Sequence, residues 1–392
     1  MKKILFWGDT PVIATGFANV LRSIIKYLPE NKYDIEILGI NQFEDIPEAK
    51  YKIYPAYVSK ENYIGLDKVK QLIANNQYDL IFMLNDAWAI DLMTKAVRET
   101  EYAGKLVAYV PIDAEDHDPE WYHSFNSIDA VVAYNTFGKT VIEKANPQLN
   151  CEVISHGVDQ TLFYKKYDTR HDAKKDLFPD YPELWDSFIF LNAGRNQPRK
   201  RLDITLRAFK KFAKDKRNVY LYMHTAPRDL HIDLIRMCNQ LEIFDKIILT
   251  SKDHDSIQHV SFEDLNKIYN ACDVGINTSI GEGFGLPNAE HASTGAPQIV
   301  PNHSALKELY KGIGVMVPAN VEYTQENIST TGRIVLVEDC ASAMAKIYKD
   351  KALYNNLSKK SIEKFTNSEF SWQEISKKWD ELFTKLLNEN KL

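Results

Sequence analysis

Short apolar runs recur along the chain at spacings that leave room for a helix between successive runs. Ile4 to Trp7, Ile35 to Leu38, Leu80 to Leu84, Leu106 to Val110, Ala130 to Ala133 and Val153 to Ile154 read as buried strands. Phe17, Val20, Leu21, Ile24, Ile25 and Leu28 stand on one face of a helix predicted to start at about Phe17. A second series follows, with strands predicted at Phe188 to Asn192, Tyr220 to Met223, Ile247 to Thr250, Val274 to Ile276 and Gln298 to Val300. Helical patterns at Ile204 to Phe212 and Leu265 to Ala271 lie between them. Strands alternating with helices build a parallel, doubly wound sheet, so two such series predict an α/β chain with two Rossmann-like domains.

The stretch between the two series, Tyr164 to Trp185, is charged and poor in aliphatics, and reads as a linker with a surface helix. At the far end Trp372, Ile375, Trp379, Leu382 and Leu386 form one helical stripe. The expected organisation is residues 1–160 as an N-terminal Rossmann-like domain, 161–370 as a C-terminal Rossmann-like domain, and 371–392 as a terminal helix. A length of 392 residues agrees with two domains.

Composition narrows the class. Hydrophobic residues make up 44% and charged residues 26%, as in a globular protein, and no apolar run approaches the ~20 residues of a membrane helix. The opening MKKILFWGDTP stops being apolar at Gly8 and Asp9, too soon for a signal peptide, and reads as a first strand. Cys151, Cys238, Cys272 and Cys340 are far apart, which argues against a zinc site or a disulfide framework, so a cytoplasmic location is expected. A net charge of -6 provides no global basic footprint for nucleic acid.

The stretch Asn277 to Pro301 carries the densest chemistry. A glycine-rich turn, Gly281-Glu282-Gly283-Phe284-Gly285, follows an apolar run and precedes a helix expected to begin near Leu286 or Pro287. Glycines let the backbone approach a ligand, and the N–H groups of a helix start favour an anion. Glu282 and Glu290 have seven residues between them, so two carboxylates could face one hydroxyl-bearing molecule; two glutamates that merely cap and solubilise a helix are the simpler alternative. Earlier, Gly194-Arg195-Asn196-Gln197-Pro198-Arg199-Lys200-Arg201 puts cations between a strand and a helix, as a phosphate site or as a solvated face.

The phrase EGFGLPNAEHASTGAPQIVPNHSALKEL resembles the glutamate-x7-glutamate signature of retaining glycosyltransferases of family 4, which have the GT-B fold, two Rossmann-like domains facing each other across a deep cleft. The resemblance implies a nucleotide-diphosphate sugar, such as UDP-glucose or GDP-mannose, as donor, a carbohydrate or other hydroxyl compound as acceptor, and no cofactor or metal. Arg195 and Lys200 match the family's diphosphate-holding cations, and Arg201 stands where the family commonly has glycine. Glu282, with Gly283, Phe284, Gly285 and Leu286, would orient the donor sugar, and Glu290 the ribose. The resemblance also implies that 1–160 is the acceptor-side domain, that 161–370 binds the nucleotide sugar, and that the helix of 371–392 packs back on the first domain.

The first loop, Gly8 to Gly16, matches the family's glycine-containing first loop, which makes Thr15 and Gly16 candidates near the donor diphosphate or the acceptor. After Leu106 to Val110 the family often has a histidine near the reacting sugar. Here that position is Asp113, with His117 four residues on, and either could take the acceptor proton.

Asp116-His117-Asp118 and Asp253-His254-Asp255 are patterns that a metal-dependent transferase would want, but such triplets arise readily in acidic loops. The alternatives left standing are a phage-type glycosyltransferase that modifies DNA bases, with nucleic acid as a less favoured partner, and a non-catalytic sugar-binding protein with a transferase fold.

Overall fold

In a computed structural model, residues 1–45, 49–60, 62–250 and 260–389 are described. They divide into two compact units, Met1–Gly157 with Trp372–Leu392, and Val158–Ser371.

The first unit is built on a parallel sheet of β1 (Lys2–Asp9), β2 (Tyr33–Ile40), β3 (Lys52–Pro55), β4 (Leu80–Leu84), β5 (Lys105–Val110), β6 (Ala130–Ala133) and β7 (Glu152–Val153). The order across the sheet is β3-β2-β1-β4-β5-β6-β7, so the direction of winding reverses between β1 and β4. Both faces are covered, which is why the central strands are continuous apolar runs. Leu5, Trp7, Ile81 and Met83 face one core. Phe6 and Phe82 turn the other way, towards the helix Trp372–Asn388, where the Phe82 and Trp379 rings meet edge to face at 5.0 Å.

That last helix buries Trp372, Ile375, Trp379, Leu382 and Leu386, and also Ser376 and Phe383. It packs on the helix Gly16–Tyr27, with Ser376 Oγ donating to Ile24 O at 3.1 Å and Asp380 receiving both Lys32 Nζ and the Tyr33 hydroxyl.

The second unit repeats the plan. Its parallel sheet comprises β8 (Phe188–Ala193), β9 (Val219–His224), β10 (Ile247–Leu249), β11 (Val274–Ile276), β12 (Gln298–Pro301) and β13 (Val315–Val317), in the order β10-β9-β8-β11-β12-β13. Winding reverses between β8 and β11. An antiparallel hairpin of β14 (Val321–Thr324) and β15 (Thr331–Ile334) follows.

Three features depart from the expected elements. Strands β3 and β13, of four and three residues, lie at sheet edges with partly exposed side chains, and β14 and β15 have four residues each. The helix Arg170–Leu177, expected on the surface, is anchored: Lys174 is buried and ion-pairs with Asp273 at 2.8 Å. Its companion Arg170 donates to the carbonyls of Tyr269, Asn270 and Thr294, so polar composition here serves internal pairing.

Candidate active site

Parallel sheets of this kind bind ligands beyond the carboxyl ends of the strands where the winding reverses. In the second unit that place is flanked by the loop after β8, residues 194–201, and the loop after β11, residues 277–285. They carry the cations and the first glutamate of the sequence pattern, and the structure joins them directly.

Glu282 is buried, and both of its oxygens are held. Lys200 Nζ lies 2.6 Å from Oε1, Arg199 Nη1 3.0 Å from Oε2, and Asn277 Nδ2 donates to Oε1 at 3.1 Å. Burial alone would raise this carboxyl, but the Lys200 and Arg199 charges outweigh it and hold Glu282 well below the usual carboxylate range. The backbone is pinned as well. Ile280 N–H donates to Arg199 O at 3.0 Å, and Glu282 N–H to Ser304 Oγ at 3.0 Å.

Of the three consecutive cations, then, two converge on one carboxylate and the third does not. Arg201 adopts φ +48°, a left-handed conformation that favours glycine, and its guanidinium forks onto Asp203 with two bonds of 2.9 Å. This is the position where glycine is common in the family that the chain resembles. Arg195 is also apart from Glu282: it is exposed and holds Asp229 through Nε at 2.7 Å and Nη2 at 3.3 Å.

The helix Leu286–Ser293 starts where the local signals put it, with Gly285 at φ +85° before it and Pro287 in its first turn. A buried polar chain runs beneath it. Asn277 Nδ2 donates to Asn288 Oδ1 at 2.9 Å, and Asn288 Nδ2 to Gln298 Oε1 at 2.9 Å. Gln298 Nε2 reaches His291 Nδ1 at 3.3 Å, and His291 Nε2 lies 3.1 Å from Cys272 O. A carbonyl only accepts, so Nε2 carries the His291 proton and Nδ1 accepts from Gln298. Burial pushes the His291 imidazole down to about 3, which keeps it neutral. Gly275 makes room for this chain, since a Cβ there would lie 2.0 Å from Gln298 Oε1. Neither Asn277, Asn288 nor Gln298 stands out in the sequence, because each is an ordinary polar residue until the loops are assembled.

Glu290 projects from the same helix with no cation paired to it among the described residues. It accepts from the Tyr269 hydroxyl at 2.9 Å. Burial and the Asp159 charge push its carboxyl up to about 7, against the lowering effect of that hydrogen bond. The Tyr310 hydroxyl, buried and without a hydrogen-bond partner among the described residues, interacts electrostatically with the same carboxylate. The two glutamates of the x7 pattern therefore occupy opposite environments, one held ionised and one poised near neutrality.

In the first unit, Thr15 N-caps the helix Gly16–Tyr27 and donates to Asp9 Oδ2 at 2.5 Å. Asn41 Nδ2 holds the other Asp9 oxygen at 3.0 Å. Space beside Gly16 is open: no atom lies within 4 Å of where a Cβ would stand. Asp113 is half-buried just past β5. His117 Nδ1 lies 2.8 Å from the Tyr122 hydroxyl, and burial lowers its basicity despite the neighbouring Asp113 and Asp116.

The triplet around His117 is committed to structure, with Asp116 paired to Lys144 at 2.8 Å and Asp118 accepting from Glu120 N–H at 2.9 Å. Asp253-His254-Asp255 lies outside the described residues. Among the described residues no three metal-ligating side chains gather at a site for an ion, and no helix is long and apolar enough to cross a membrane.

Comparison with known proteins agrees with this fold. The family described as Glycosyl transferases group 1 matches residues 187–347. The serotype-specific mannosyltransferase WbdA of Escherichia coli is 24% identical over 413 aligned positions, which cover 94% of this chain and 47% of that protein, so the chain spans about half the length of this curated relative. Among solved structures, sucrose-phosphate synthase of Thermosynechococcus elongatus superposes with a TM-score of 0.76 at 17% identity, covering 99% of this chain and 100% of that one. HepE of Anabaena, solved with UDP and glucose, superposes with a TM-score of 0.70 at 16% identity, covering 98% and 100%. The chain thus has the GT-B fold of these structures, and its residues 187–347 match the glycosyl transferases group 1 family, in keeping with the resemblance to family 4.

Proposed function

We propose that the protein transfers a sugar from a nucleotide-diphosphate donor to a hydroxyl acceptor, with retention at the anomeric carbon and without a metal. The observation that carries this reading is the buried Glu282 carboxylate, fixed by Lys200 and Arg199 at the point where the second sheet reverses its winding, directly before a helix start.

Cleaving a sugar from a nucleoside diphosphate develops negative charge on the leaving phosphate. Groups aimed at that charge stabilise the transition state more than the bound donor. Lys200, an ammonium that gives one donor to Glu282, places a positive charge where such a phosphate would stand. Arg195, exposed on its loop and held by Asp229, offers a guanidinium fork to the same diphosphate. The N-terminal turn of Leu286–Ser293, reached through Gly283, Phe284 and Gly285, adds the positive end of a helix dipole.

Glu282, permanently ionised, accepts hydrogen bonds from donor sugar hydroxyls, and Glu290 from the ribose. On the acceptor side, Asp113 or His117 receives the hydroxyl proton, and Thr15 and Gly16 shape the loop that faces the ligand. UDP- and GDP-sugars are the donors to examine first, given the UDP and glucose bound by HepE and the mannosyl transfer named for WbdA. A cytoplasmic location fits a donor of this class.

The test is a thermal-shift and hydrolysis screen against UDP-, GDP-, ADP- and TDP-sugars in excess chelator, followed by proton NMR of the product anomer. Turnover of one donor in chelator with the anomeric configuration kept is expected. No turnover of any donor, or an inverted product, rules the reading out.

A further inference from the structure

Within the second unit, the β14–β15 hairpin meets the loop that carries Glu282. Arg333 N–H on β15 donates to Ile280 O at 2.8 Å, and the Ile280 N–H in turn donates to Arg199 O at 3.0 Å. The peptide of Ile280 is therefore bonded on both sides, to the hairpin through its carbonyl and to the cation loop through its nitrogen. Packing repeats the message. Ile280 is 1% exposed, and a Cβ on Gly332 would lie 3.0 Å from each of Ile280 Cβ, Cγ1 and Cδ1, so the hairpin backbone rests directly on that side chain. Two residues later, Arg199 and Lys200 grip the Glu282 carboxylate. Tyr323, opposite Gly332 in the hairpin register, interacts electrostatically with Arg201 on the cation loop.

We propose that the hairpin is a positioning element: through Gly332 and the Arg333 N–H it clamps Ile280 against the 199–200 backbone and so sets where the Glu282 carboxylate stands. Gly332, Arg333 and Ile280 are positioning residues that act through Glu282. The catalytic consequence rests on the proposed donor role of Glu282, whereas the clamp itself does not.

The physical argument is one of leverage. A carboxylate that orients a reacting sugar loses much of its effect when displaced by a fraction of an ångström, and displacements of about 1 Å can reduce turnover ~10²-fold. The loop between Asn277 and Gly285 contains three glycines and has no helix or strand of its own to fix it. Its geometry must come from neighbours, and the hairpin supplies one of them.

The experiment compares the wild type with Gly332→Ala, Ile280→Ala and the double variant, using two readouts. Amide hydrogen exchange by mass spectrometry reports the clamp: in Gly332→Ala the Ile280–Glu282 amides exchange about tenfold faster while the β8 and β11 amides do not change. Donor turnover, measured on whichever nucleotide sugar the wild type hydrolyses, falls about tenfold in kcat with donor KM within about twofold. The double variant, in which two of the three close contacts with Ile280 are removed, recovers at least half the kcat of Ile280→Ala.

Unchanged exchange at Ile280–Glu282 in a folded Gly332→Ala protein, or unchanged kcat, overturns the proposal. Should Gly332→Ala not fold, native-state exchange of the wild type in mild denaturant decides: the Ile280 and Arg333 amides must open together, and protection of Ile280 after Arg333 has exchanged overturns it. A wild type that turns over no nucleotide sugar removes the functional reading and leaves the exchange result to judge the clamp.

Discussion

Lys200 Nζ sits 2.6 Å from Glu282 Oε1, joining two loops 82 residues apart in the chain, and this one pair organises the carboxyl edge of the second sheet. Breaking a buried pair from one side leaves an uncompensated charge. If Lys200 meets the leaving phosphate as proposed, Lys200→Ala loses turnover by about 10²- to 10³-fold. It also loses stability, whereas Lys200→Ala with Glu282→Gln loses less than the sum of the two. Additive losses in a double-mutant cycle of chemical denaturation would show that the pair carries no coupling.

The pH dependence of that pair has a definite sign. Glu282 is held below its ordinary value of 4.5, so its contribution to stability is full above that value and is lost as pH falls through the lower folded value. The stability difference between wild type and Glu282→Gln should be flat across the neutral range and shrink only in acid. A difference that changes between about pH 6 and 8 contradicts the assignment.

Glu290 behaves in the opposite way. Its folded carboxyl is pushed up to about 7 from 4.5, so the native state binds the proton more tightly than the unfolded chain. Stability from this group is full below 4.5 and declines as pH rises to about 7. Glu290→Gln keeps an acceptor for the Tyr269 hydroxyl and loses the titration, so denaturation midpoints of variant and wild type should diverge over that window. If Glu290 accepts ribose hydroxyls as an anion, nucleoside diphosphate affinity in the wild type rises through the same window and in the variant does not.

Two glycines make contrasting predictions. Gly275→Ala places a Cβ 2.0 Å from Gln298 Oε1, inside the polar chain under the Leu286–Ser293 helix, and is expected to destabilise by more than about 2 kcal/mol. Gly16→Ala meets no atom within 4 Å and should change stability by less than about 0.5 kcal/mol. Any loss of activity in the Gly16 variant then reports a ligand that comes close to that position. Thermal denaturation and steady-state kinetics of both variants separate the two cases.

Arg195 is exposed and paired with Asp229 rather than with the Lys200 cluster. Exposed pairs contribute little, so Arg195→Ala should keep wild-type stability within about 1 kcal/mol. If Arg195 holds the diphosphate as proposed, the same variant raises donor KM by about tenfold or more. Asp229→Ala releases the guanidinium and leaves the fold intact. Donor binding unchanged in Arg195→Ala would remove Arg195 from the donor site.

Local sequence signals were enough to read the architecture. Alternating apolar runs and helical stripes marked the central strands of both sheets, and Gly285 with Pro287 marked where the helix after β11 begins, because these are short-range effects of burial and backbone preference. The edge strands β3 and β13 and the hairpin strands escaped, since each is at most four residues long and largely unburied. The charged segment before β8 holds the helix read there, but composition cannot tell that its Lys174 has a buried aspartate partner 99 residues away.

What the sequence by itself determined is the pair of parallel sheets and the residue types available at their carboxyl edges. Only the tertiary structure decided how those residues are divided: Arg199 and Lys200 to Glu282, Arg201 to Asp203, Arg195 to Asp229, and Glu290 to the Tyr269 hydroxyl. The spacing of a motif sets which strand end a side chain leaves from. Its charge state and partner depend on which distant loop shares that edge, and that follows from strand order in the folded sheet.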